Sequence, residues 1–95
     1  MKKLLLATVA SAAMATAVSA DDVKIGVFLG FTGPIESLVA QMGPGAEAAI
    51  AEVSASGSFM NGSTVTAIRA DTTCVDAGAA TAAAERLITS DKVSG

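Results

Sequence analysis

Apolar residues form an almost unbroken run near the start of the chain and then recur with two alternating periods. Leu4 to Ala17 is interrupted only by Thr8, Ser11 and Thr16. The basic pair Lys2 and Lys3 precedes it, and the small residues Val18-Ser19-Ala20 follow. A basic start, an apolar middle and a small-residue exit are the three parts of an export leader. Residues 1–20 therefore read as a signal peptide, cut between Ala20 and Asp21. The run is shorter than the ~20 apolar residues that a membrane-spanning helix needs. No cysteine lies near the cut, so the mature end is not expected to be lipid-anchored.

Beyond the leader, β-branched runs alternate with helical spacing. Val23 to Leu29 is apolar apart from Lys24 near its start, which suits a strand buried on both faces of a parallel sheet. The loop Gly30-Phe31-Thr32-Gly33-Pro34 follows. A helix is predicted from about Glu36 to Ser56, with Met42, Ala46, Ala49, Ile50 and Val53 on its buried face. Gly43-Pro44-Gly45 is expected to kink or split that helix, because proline removes a donor and glycine loosens the backbone. Gly57 supplies a stop and Asn61-Gly62 a turn. Thr64 to Ala70 reads as a second strand, ended by Asp71. Asp76 is placed to cap a second helix reaching about Ser90, with Ala80, Ala83, Ala84, Leu87 and Ile88 inward. Val93 reads as the beginning of a third strand. Strands alternating with helices of this length predict an α/β protein built on a doubly wound parallel sheet.

Composition narrows the function. Of 6 basic and 9 acidic residues, two basic ones leave with the leader, so the mature part is acidic. A chain of that sign lacks the clustered Lys and Arg that neutralise phosphates, so no nucleic-acid partner is expected. The mature part is small for an independent core and has neither disulfide staples nor a large aromatic content: one Cys, no Trp, no Tyr and three Phe. Residues 21–95 are accordingly expected to be the first part of a longer exported protein.

The sequence contains no histidine, which removes imidazole bases, histidine metal sites and Ser-His-Asp triads. No metal and no cofactor is expected. Gly26, Gly30 and Gly33 follow a strand, but their spacing does not match the G-x-G-x-x-G turn that wraps a pyrophosphate. Asp71 and Asp76 flank Cys74, yet one ends a strand and the other caps a helix. Asn61-Gly62-Ser63 has the form of a glycosylation acceptor, and reads better as a turn. Cys74 has three readings: a buried thiol, a reactive thiol or half of a disulfide. No basic residue sits beside it to activate a thiolate. In an oxidising compartment the expectation is a disulfide to a partner beyond Gly95.

The ordered set of these segments resembles the N-terminal end of the periplasmic substrate-binding proteins for branched-chain amino acids, which serve ABC transporters. The resemblance rests on Lys24-Ile25-Gly26-Val27, Thr32-Gly33-Pro34 and Gly45-Ala46-Glu47. It continues through Asn61-Gly62, Asp71, Cys74 with Asp76, and Asp91-Lys92-Val93, and so covers residues 23 to 95. Three departures stand out. Gly57 to Gly62 is one residue longer than usual, Val75 separates Cys74 from Asp76, and Leu38 falls where some members carry an aromatic residue.

The resemblance implies the beginning of lobe 1 of a type I periplasmic binding protein fold, with residues 21–95 an incomplete N-terminal lobe of a leucine-binding-protein-like domain. It implies a non-enzymatic periplasmic protein that binds an amino acid or amide and delivers it to an inner-membrane ABC permease. Most ligand contacts would then come from outside residues 1–95. From this segment Glu36, Ser37 and Leu38 are expected to line the cleft. The alternatives are a ligand-sensing receptor module of the same fold and a small standalone exported protein without ligand. An exported hydrolase with Cys74 as nucleophile lacks the histidine it would need.

Overall fold

The computed structural model describes residues 21–95. The expected signal peptide, residues 1–20, and the residue before its expected cut, Ala20, lie outside the described residues. Asp22–Leu29 forms β1 and Thr64–Asp71 forms β2. They pair in parallel with an unbroken register from Asp22↔Thr64 to Leu29↔Asp71. Between them runs a single long helix, α1, over Glu36–Ala55. A second helix, α2, spans Ala77–Glu85 and continues as a wider π-type turn over Arg86–Ser90.

The helices cover opposite faces of the sheet. Alternate residues of a strand point to opposite sides. Ile25 and Val65 share a hollow with Ala49 and Ile50 of α1. Gly26, the next residue of β1, faces Leu87 instead: a Cβ there would stand 3.0 Å from the leucine side chain. Helices on both faces of a parallel sheet make this the start of the doubly wound α/β architecture. No helix among the described residues is long and apolar enough to cross a membrane.

Helix α1 departs from expectation in two ways. Its buried stripe is Val39 and Gly43, followed by the half-buried Ala46, Ile50 and Ser54. Met42, Ala49 and Val53, expected inside, are exposed. Small residues decide this: Gly43 and Ala46 let the helix axis approach the sheet, and no larger side chain on that stripe would. The helix also passes through Pro44 without splitting. Pro44 lies on the exposed side, so it costs the Ala40 carbonyl its partner, while Val39 and Ile50 hold both halves against the sheet.

Asp76 caps α2 as expected, accepting from Gly78 N (2.8 Å) and Ala79 N (3.2 Å). Such a cap is typically worth ~1 kcal/mol. Leu87 is buried, but Ile88 is 67% exposed, contrary to the expected stripe. The wide turn from Arg86, closed by Asp91 N donating to Arg86 O at 2.9 Å, accounts for it. It takes one more residue per turn than an α-helix, so Leu87 stays on the sheet and Ile88 swings outward.

Both sheet edges are occupied. On β2, Val65 N donates to Ser54 Oγ (3.0 Å), and Arg86 Nη2 donates to Arg69 O (2.5 Å). Such side-chain contacts blunt an edge that would otherwise recruit another strand. On β1, Ser94 N donates to Lys24 O and Gly26 N donates to Gly95 O, each at 2.8 Å. The segment expected to begin a third strand therefore lies along β1 on the side away from β2. β1 takes the central position that its apolar sequence predicts. Burial on both faces is incomplete: Val27 is buried, while Phe28 is 44% exposed.

Candidate functional site

The loops after β1 and β2 meet at the carboxyl ends of the two strands, the end at which open α/β sheets bind ligands. Three successive residues of the first loop are each fixed to the second strand or its extension. Phe31 stacks under Arg69, whose guanidinium carbon lies 4.6 Å from the ring centroid. Thr32 donates from its hydroxyl to Asp71 Oδ2 (2.5 Å) and from its backbone N–H to Oδ1 (3.3 Å). Gly33, at φ 98°, lies so close to Thr73 that an added Cβ would stand 2.6 Å from the threonine carbonyl oxygen. Arg69 and Asp71 alternate on β2, so Phe31 and Thr32 lie along one side of the strand, and Gly33 meets the left-handed turn beyond it.

The Phe31 ring meets α1 at its edge. A Cβ at Gly43 would lie 2.6 Å from the ring, so glycine at this helical position makes room for it. Arg69 is itself paired with Glu47 of α1 at 2.5 Å. Helix, strand and loop thus converge on one aromatic side chain. Phe31, Arg69 and Glu36 border a small hollow of about 200 Å³, with Val39, Ala40 and Pro44 as its floor.

The second loop is strained. Thr73 and Cys74 are consecutive non-glycine residues at φ 57° and 62°, a region costly for a β-branched side chain. Asp71 offsets part of that cost by accepting Thr73 N at 2.9 Å. The Thr73 hydroxyl oxygen is buried with no partner among the described residues. Holding Thr73 in this conformation aims its carbonyl at Gly33.

The hydrogen bond from the Thr32 hydroxyl, followed by that from Thr73 N–H, holds the Asp71 carboxyl below the usual carboxylate range. A lowered pKa in the folded state means that the Asp71 clasp contributes fully above the ordinary aspartate value of ~3.9. Its contribution is lost as pH falls through the lowered value. Acid titration followed by carbon NMR should show the Asp71 carboxyl titrating below the ordinary aspartate value of ~3.9. Asp71→Asn should flatten the corresponding acid limb of the stability curve. An Asp71 that titrates at the ordinary aspartate value would show that the clasp does not persist in solution.

Glu36, Ser37 and Leu38, expected on the binding side, form the first turn of α1 directly after the fixed loop. All three are exposed, Leu38 at 68%. No side chain caps this helix end. Cys74 is an exposed free thiol, with Sγ 3.3 Å from Thr72 Oγ1 and close against Gly30. Asp76 is used as a cap and Asp71 as a clasp, so the two aspartates flanking Cys74 do not converge on it. Among the described residues no group of three or more His, Cys, Asp or Glu side chains is placed to hold a metal ion.

Sequence reasoning did not find the Thr32–Asp71 clasp or the Phe31–Arg69–Glu47 stack. The clasp had a signal: once β1 and β2 are taken as parallel neighbours, the residues after their carboxyl ends must meet. The stack had little, because Arg69 in a strand reads only as a polar alternation. The family model described as periplasmic binding protein matches residues 22–95. Neither the curated proteins nor the solved structures give a match to the chain.

Proposed function

This chain belongs to the periplasmic binding protein family, and we propose that it acts as the substrate-binding component of an ABC transporter, taking up a branched-chain amino acid or a related small polar ligand. The family is one of small-molecule binders, and the chain carries an α/β fold of the corresponding kind. The observation that carries the reading is the fixed loop Phe31-Thr32-Gly33 at the carboxyl end of the sheet. It presents the first turn of α1, with Glu36, Ser37 and Leu38, on a frame that needs no reordering when ligand arrives. Preorganisation of this kind removes an entropic cost of binding.

In this reading the ligand's charged end meets the N-terminus of α1, where no side chain caps the helix and the helix dipole favours a carboxylate. Leu38 then contacts the ligand's apolar side chain. A second lobe supplies the remaining contacts, and an inner-membrane permease receives the cargo. The leader directs the protein to the periplasm. There the exposed thiol of Cys74 is open to pair with a cysteine of another segment.

Chemical-shift mapping tests the proposal. Leucine, isoleucine and valine, each added in excess to isotope-labelled protein, should move amides of residues 30–38 and 71–76 together. Shifts confined to other regions, or none with any of the three, would remove the branched-chain reading.

A further inference from the structure

We infer that Arg69 is a positioning residue for the proposed binding rim, acting through the Phe31 ring rather than on the ligand. Three contacts converge to support this. The guanidinium lies over the ring, with Cζ 4.6 Å from the centroid. The opposite carboxylate, Glu47, takes Arg69 Nη2 at 2.5 Å and Nε at 2.6 Å, which fixes the plane of the guanidinium. At the ring edge, Gly43 leaves no Cβ, so the aromatic edge beds into α1 where any other residue would push it out. A cation over an aromatic face is attracted by the ring quadrupole, and a planar guanidinium also stacks on it.

Phe31 is the residue immediately before Thr32 and Gly33. Its ring therefore sets where the clasped segment begins, and Arg69 sets where the ring lies. Asp71 fixes the next residue from the same side of β2, so Arg69 and Asp71 act in series along the loop. Glu36 borders the same hollow as Arg69. A loop released at Phe31 therefore shifts the first turn of α1, the part proposed to meet ligand. The role at the ring stands on the contacts above; its bearing on ligand rests on the proposed function.

The test combines a spectroscopic signature with conservative rescue. In the wild-type protein the Phe31 ring should shift the Gly43 α-proton resonances by its ring current. Arg69→Met should reduce that shift and speed amide exchange at Phe31, Thr32 and Glu36 by roughly two- to fivefold, the size of a partly exposed cation–π contact. Amides in the middle of β1 and β2 should be unaffected. Arg69→Lys, which restores a cation over the ring, should recover part of the protection. Phe31→Leu should reproduce the effect, and adding Arg69→Met to it should change little more, because both remove one interaction.

Equal exchange in wild type and Arg69→Met, or full additivity of the two substitutions, would overturn the inference. Leucine mapping on the same samples separates this inference from the proposed function. Protection that depends on Arg69 in a protein whose spectrum leucine, isoleucine and valine leave unmoved would uphold the positioning role and reject the ligand. Wild-type and Arg69→Met proteins that bind leucine alike, with equal exchange, would do the reverse.

Discussion

Gly33→Ala is expected to destabilise the protein by about 3 kcal/mol or more, from one added methyl group. Two costs coincide. The backbone at φ 98° is one that an L-residue rarely adopts, and the new Cβ would stand 2.6 Å from Thr73 O. A flexible side chain would move aside, but this neighbour is a backbone carbonyl. It belongs to a residue that Asp71 already holds by its N–H. The loop can relieve the contact only by giving up the clasp or the left-handed pair at Thr73 and Cys74. Gly45→Ala provides the control. Nothing lies within 4 Å of a Cβ there, and the position is inside α1. The same methyl should stabilise by about 0.5–1 kcal/mol, because alanine loses less backbone freedom on folding. Urea midpoints of the two variants should move in opposite directions. A Gly33→Ala midpoint within error of wild type would show that the loop is looser than its geometry indicates.

Leu87→Ala should cost about 2–5 kcal/mol, the range for a buried leucine that leaves a cavity behind. The upper part of that range is expected here for a specific reason. Leu87 is 5% exposed and seats its methyl groups in the slot that Gly26 leaves in β1. The rest of α2 is largely alanine and glycine, so no neighbouring side chain is long enough to collapse into the space. Ile88→Ala, one residue on but 67% exposed, should change stability by only a few tenths of a kcal/mol. Gly26→Ala alone should be unfavourable because its Cβ would crowd Leu87, and less so in the Leu87→Ala background, where the cavity receives it. Equal effects of Leu87→Ala and Ile88→Ala in denaturant unfolding would contradict this account of α2 packing.

These two sites also mark where sequence reading succeeded and where it failed. Both strands and the Asp76 cap follow from local signals. β-branched runs, a capping side chain and a turn pair each act within a few residues. The faces of α1 did not follow. Alanine occurs all around that helix, so hydropathy barely distinguishes its sides. The choice fell to Gly43 and Ala46, whose value lies in what they leave out. Ile88 was misplaced because the wide turn at Arg86 breaks the 3.6-residue spacing on which the prediction relied. At the candidate site, Glu36, Ser37 and Leu38 were correctly put at the start of α1. The clasp that supports them joins residues 39 apart in sequence, a pairing that appears only once the strands are side by side.

The keying of three consecutive loop residues to β2 and the turn beyond it makes the two ends of the sheet unequal in evolution. One residue inserted between Gly30 and Pro34 would put every member of the loop out of step, losing the stack, the clasp and the glycine contact together. At the opposite end, Gly57 itself faces open space, with nothing within 4 Å of a Cβ there. Length variation should therefore be tolerated better around Gly57, while the loop before α1 can diversify only by substitution. Under the proposed function, a lineage changing its ligand would alter exposed positions such as Leu38 and keep the length of the loop before them.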